Sequence, residues 1–117
     1  QDRSYINVER MDLIKTGSLT FEEMDFELWP ALRLAYDIIN LQSSSGAAYN
    51  ASKEEALTAF IENEIGFLDM YKCVYYVINY LKGGGYFVNK SLGLSEIFEM
   101  DSLARKLTKK YITNKSI

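Results

Sequence analysis

Four carboxylates crowd one short stretch, Glu22, Glu23, Asp25 and Glu27, and acid–base or metal chemistry would be sought there first. Hard divalent cations take oxygen ligands of this kind. The stretch lacks the glycine turn and the alternating oxygen ligands of an EF-hand loop. Placed just before Pro30, the same charges suit the positive end of a helix dipole, and that plainer role is the expected one. Nucleophilic triads are out of reach. The 117 residues include no histidine, so neither a Ser/His/Asp nor a Cys/His system can be built. A single cysteine, Cys73, excludes an intramolecular disulfide and, without histidine, a CxxC or Cys/His zinc site. It sits in an apolar run and reads as a small buried hydrophobe. Gly83-Gly84-Gly85 invites comparison with a phosphate cradle, but such loops precede a helix N-terminus. These glycines follow a helix and read as its stop. Of nine tyrosines, Tyr71, Tyr75, Tyr76 and Tyr80 fall within one apolar helix. They read as packing groups with their hydroxyls at the rim. A base-stacking platform would need cations, and only Lys72 and Lys82 are near. The sequence therefore predicts no catalytic, cofactor-binding or metal-ligating residue in this chain.

The elements carrying these residues are expected to be helices. With 48% hydrophobic and 25% charged residues, the chain can bury one core and is too short for two domains of ordinary size. Residues 1–20 mix Tyr5, Ile6, Val8, Met11, Leu13 and Ile14 with charges and show no clear period. A helical turn from Met11 to Ile14, broken at Gly17 and Ser18, is the most they suggest, and they read as an extended lead-in. A first helix opens at Pro30, which is tolerated at the first helical position. Ala31, Leu34, Ala35, Ile38 and Leu41 keep its apolar face, and Arg33, Asp37 and Asn40 fall opposite. Ser43-Ser44-Ser45-Gly46 reads as a polar loop. The second helix is predicted to begin near Asn50 or Ser52, with Ser52 and Glu55 as a capping box. Ala56, Leu57, Phe60 and Ile61 would form its inner face, with Lys53, Glu54, Thr58 and Glu62 away from it. The third helix, Phe67 to Lys82, is apolar nearly all round, which places it at the centre of a bundle or beneath a neighbouring domain. After a connection over residues 86–93, Ser95 would cap a short helix through Ile97 and Phe98. Asp101 would cap the last helix, with Leu103, Ala104, Leu107 and Tyr111 inward and residues 113–117 fraying. The predicted fold class is all-α: a small four-helix bundle over residues 21–117 behind the lead-in.

Charge and composition exclude several classes. A formal net charge of -3 disfavours nucleic acid. The late basic run Lys106, Lys109, Lys110 and Lys115 suits the negative end of a last helix better than a phosphate patch. Apolar stretches are interrupted by charge, so no membrane span is expected. One reduced cysteine and no leader pattern point to the cytoplasm. The chain opens at Gln1, and its first residues read as the interior of a longer polypeptide.

One stretch is more specific. Leu19-Thr20-Phe21-Glu22-Glu23, then Asp25-Phe26-Glu27, then Pro30-Ala31-Leu32-Arg33-Leu34-Ala35-Tyr36 closely resembles the start of the C-terminal domain of the 1-deoxy-D-xylulose 5-phosphate reductoisomerase family. Asn50-Ala51 with Glu54 looks like that family's Asn-Ala-Ala-Asn-Glu helix start, with Lys53 in place of the second Asn. Ala59-Phe60 and Ile65-Gly66-Phe67-Leu68-Asp69 match its next signature, and Asp101 with Ala104-Arg105 resembles the opening of its last helix. Met24 replaces a usual proline. The resemblance runs from about Met11 to the end. It implies a structural domain behind a nucleotide-binding and a catalytic domain, in a homodimeric enzyme using NADPH with Mg or Mn. It implies no site residue here, because the family's metal carboxylates, phosphate-binding residues and glycine-rich loop lie upstream. Residues 1–20 would then lead in from the catalytic domain, which would be this domain's partner. The other reading left open is a free-standing helical protein-interaction module without catalysis.

Overall fold

A computed structural model describes residues 8–87 and 93–115, with Lys115 described by its backbone alone. Tyr5, Ile6, most of the 86–93 connection and the last residues of the tail lie outside the described residues. Among the described residues five helices follow in order: α1 (Leu13–Thr16), α2 (Pro30–Leu41), α3 (Ser45–Ile61), α4 (Phe67–Gly83) and α5 (Leu94–Lys115). No strand occurs among the described residues, so the all-α reading holds. The bundle is α2 to α5, and α1 is a single turn within the lead-in.

That turn lies two residues beyond the expected one. Asp12 sets its start, its Oδ1 accepting from Ile14 N at 3.0 Å and Lys15 N at 3.3 Å. Gly17 ends it at φ 75°, a left-handed value that favours glycine. Proline at the first position starts α2 as expected, and Leu34 and Ile38 are buried.

The second helix begins earlier than predicted. Ser44 and Ser45 are buried, and Ser45 Oγ donates to Ile38 O at 3.3 Å, tying the α2–α3 corner. What reads as a polar loop is thus a helix start made of residues small enough to be enclosed. The capping box at Ser52 and Glu55 does not form. Ser52 lies in mid-helix, fully buried, and its hydroxyl has no hydrogen-bond partner. The inner face of α3 also differs from prediction. Leu57 and Ile61 are exposed, and the buried residues are Ser45, Ala48, Ala51, Ser52, Ala56 and Ala59. Small side chains let neighbouring helices approach closely, and α3 packs against α2, α4 and α5. The centre of the bundle is therefore α3, not the more apolar α4.

The predicted bounds of α4 hold to one residue. It buries Cys73, Val74, Val77, Ile78 and Leu81, while Phe67, Leu68 and Tyr75 stay exposed. The glycine stop behaves as predicted. Gly85 takes φ 72°, its N–H donates to Lys82 O at 3.1 Å, and Tyr86 N donates to Leu81 O at 3.0 Å. These are the two bonds of a Schellman motif. Helix α3 ends the same way, with Asn63 at φ 61° and Glu64 N donating to Ala59 O at 2.8 Å.

Ser95 and Asp101 do not divide the last segment into two helices. Met100, Ala104, Thr108 and Ile112 are buried at four-residue spacing, which holds one continuous helix against the bundle. Leu103, Leu107 and Tyr111 pack at the margin of that face. Asp101 falls in mid-helix, where its carboxylate meets a side chain rather than a helix start.

Candidate functional site

The residues of the two distant signatures meet in space. Asn50, Ala51 and Glu54 come from α3, and Asp101, Ala104 and Arg105 from α5. Ala51 and Ala104 are fully buried. Beside them lies a knot of charge centred on the Arg105 guanidinium. Arg105 Nε donates to Asp101 Oδ1 at 2.8 Å, one turn back along the same helix. Across the helix boundary, its NH2 group donates to Glu54 Oε2 and its NH1 group to Glu55 Oε1 at 3.3 Å. Glu54 is held from behind by Asn50 Nδ2, which donates to Oε1 at 3.0 Å. Lys109 Nζ reaches the other oxygen of Glu55 at 3.4 Å.

The planar fork of arginine suits this task because one side chain can serve several carboxylates at fixed angles. Glu55 is the most enclosed member, with 14% of its side chain exposed, against 32% for Arg105 and 53% for Glu54. The hydrogen bond from Arg105, reinforced by its charge, holds the Glu54 carboxyl below its ordinary value of 4.5. Hydrogen bonds to Asp101 and Glu54 hold the guanidinium proton more firmly still. The knot is saturated: its three carboxylates face two cations and an amide. Such an arrangement orients helices and offers no free acid, base or nucleophile.

The other expected sites are placed plainly. Glu22, Glu23, Asp25 and Glu27 are exposed ahead of α2, and none lies in its first turn. Asp25 Oδ1 accepts from Glu27 N at 2.9 Å and Leu28 N at 3.0 Å, closing a local turn. That turn sets Phe26 edge-on to Tyr36, with Arg33 over its ring at 5.6 Å. Among the described residues, no group of three or more His, Cys, Asp or Glu side chains is placed to hold a metal ion. Cys73 is fully buried. Tyr71, Tyr75, Tyr76, Tyr80 and Tyr111 line a shallow open groove, with Tyr76 stacked on Tyr111 at 4.5 Å between ring centroids. Burial, followed by the charges of Tyr75 and Asp37, raises the Tyr71 pKa. Of the basic run, Lys109 serves the knot instead of capping the helix. No described helix is long and apolar enough to cross a membrane.

A second feature escaped the sequence reading. Helix α2 has two apolar faces. Leu34 and Ile38 are buried, whereas Leu32, Tyr36 and Ile39 point outward together with Trp29, at 40%, 60%, 68% and 58% exposure. Their helical spacing was present in the sequence but hidden by the stronger inner stripe. Before them, Met11, Leu13, Ile14, Leu19, Phe21, Met24 and Leu28 are exposed too. Large outward apolar surfaces mark places that another surface covers.

Known proteins share this fold and sequence. A family model described as "DXP reductoisomerase C-terminal domain" matches residues 1–107. A 1-deoxy-D-xylulose 5-phosphate reductoisomerase of Cereibacter sphaeroides is 42% identical over 104 residues, covering 89% of this chain and 26% of that protein. One of Ruegeria sp. is 36% identical over 115 residues, covering 98% of this chain and 29% of its own length. A solved structure of the Zymomonas mobilis reductoisomerase in complex with NADPH superimposes with a TM-score of 0.76 at 31% identity, covering 95% of this chain and 28% of that one. The chain thus spans between a quarter and a third of the length of these relatives.

Proposed function

The chain belongs to the DXP reductoisomerase C-terminal domain family, and we propose that it is the bracing domain of a full-length reductoisomerase. That enzyme would convert 1-deoxy-D-xylulose 5-phosphate to 2-C-methyl-D-erythritol 4-phosphate with NADPH and Mg or Mn, as a cytoplasmic homodimer in the non-mevalonate route to isoprenoids. Among the described residues no group of three or more His, Cys, Asp or Glu is placed to hold a metal ion, and in this reading cofactor and metal are held by the preceding domains. Residues 1–20 lead in from the catalytic domain, and residues 21–117 form the helical domain.

The observation that carries this reading is the outward apolar face of α2 with its lead-in. Leu32, Tyr36 and Ile39 form a stripe that the bundle does not cover, and an exposed apolar stripe suits contact with another domain. The catalytic domain is its partner. The bundle contributes rigidity behind that contact and no reacting group. NADPH oxidation with 1-deoxy-D-xylulose 5-phosphate and Mn²⁺ tests the reading, comparing the complete open reading frame with residues 1–117 alone. Turnover in the longer protein and none in the shorter is expected. A folded longer protein without turnover would favour the interaction module instead.

A further inference from the structure

We infer that the Arg105 knot is a register lock, which selects one longitudinal alignment of α5 on α3 rather than adding to the stability of the bundle. The packing there gives little register information of its own. Helix α3 presents Ala48, Ala51, Ala56 and Ala59, and the middle of α5 answers with Ala104 and Thr108, all at 3% exposure or less. Methyl-sized side chains make shallow ridges, so over this middle section a slip of one turn, about 5.4 Å, meets little steric resistance, and resistance by size comes from Met100 and Ile112 at the ends of the stripe.

Charge breaks that degeneracy. Asp101, Arg105 and Lys109 follow one another at four-residue spacing beside the buried stripe, opposite Glu54 and Glu55. A slip of one turn in one direction brings Asp101 against two glutamates. The opposite slip brings Lys109, a point charge without the guanidinium fork, into the place of Arg105. The native register alone brings the guanidinium fork to all three carboxylates at once. Setting register is the best-attested service of partly buried ionic groups, whereas their net stabilisation is small.

The test uses the full-length protein and carbodiimide, which joins an amine to a carboxylate in contact. Wild type should link Lys109 to Glu55. In Arg105→Met, which keeps an unbranched apolar stem, the Lys109 links should spread over other carboxylates while Tm moves by no more than a few degrees. A variant that keeps Glu55 as its dominant link would overturn the lock, because packing would then suffice. A large fall in Tm with the link unchanged would overturn it as well, assigning the knot to stability. Should Arg105→Met fail to fold, Arg105→Lys decides: a second link beside Glu55 is expected, and a wild-type pattern would refute the role of the fork.

Discussion

The first third of the described chain and the α3–α5 bundle differ in how much apolar side chain they enclose, although both leave large apolar groups exposed. From Val8 to Ile39, large apolar side chains mostly face outward, and only Leu34 and Ile38 are buried. From Ala48 onward, burial falls chiefly on small and medium side chains, Ala51, Ala59, Cys73, Val77 and Ala104 among them. The radius of gyration, 18.3 Å, exceeds the roughly 13 Å of a compact domain of this length. The contrast separates two uses of apolar surface. One region closes on itself through tight helix contacts. The other leaves its larger side chains facing outward.

Paired substitutions break or sharpen this contrast, and the largest effect is expected in the core. Val74→Asp puts an unpaired charge where 5% of the residue is exposed and should destabilise the fold by about 3–5 kcal/mol. Ile39→Asp, on the outward face of α2, should leave the melting temperature of the bundle almost unchanged and lower turnover of the full-length enzyme. Equal melting effects from the two would erase the distinction between the regions. The glycine stop offers the next pair. Gly85→Ala forces a Cβ into φ 72° and should cost about 1 kcal/mol, whereas Gly83→Ala, inside α4 with open space around it, should stabilise by a few tenths to about 1 kcal/mol. Chemical denaturation of both reads the difference in sign.

Much of the bundle is legible in the sequence where one signal dominates. Pro30 and the spacing of Leu34 and Ile38 fix α2, and a segment apolar nearly all round and closed by three glycines fixes α4 almost to the residue. Failures fall where two physical uses of one residue type compete. Serine marks loops and caps through its hydrogen bonds, but it is also small, and at Ser45 and Ser52 size decides. Asp101 has the chemistry of a cap, yet an arginine one turn on takes its carboxylate. The knot itself joins positions fifty residues apart, and no local pattern pairs Glu55 with Arg105 or Lys109. The outward stripe of α2 escaped for another reason. One helix can carry two apolar faces, and periodicity alone does not say which is covered within the chain.

Two smaller effects test these competing uses. Ser52→Ala removes a buried hydroxyl that has no partner, and it should be neutral or stabilise by up to about 1 kcal/mol. A clear loss of stability in thermal unfolding would show that the hydroxyl is engaged after all. The smallest effect concerns acid. Glu54 has its carboxyl held below 4.5 in the folded state, so its contribution is present above that value and is lost as pH falls through the lower, folded-state one. Glu54→Gln should lower the neutral plateau slightly, flatten the acid limb of the stability profile and leave the most acidic region unchanged. Its exposure keeps the effect small.

The position of Trp29 has a use of its own. It is the chain's one tryptophan, and it sits half-exposed at the start of α2, while six of the nine tyrosines lie on α3, α4 and α5. Nature has in effect dyed the two regions differently. Selective excitation of the indole reports on the outward face alone, and its emission should move to the blue when that face is covered. Tyrosine emission follows the bundle through melting, so docking and folding can be watched in one cuvette without a label.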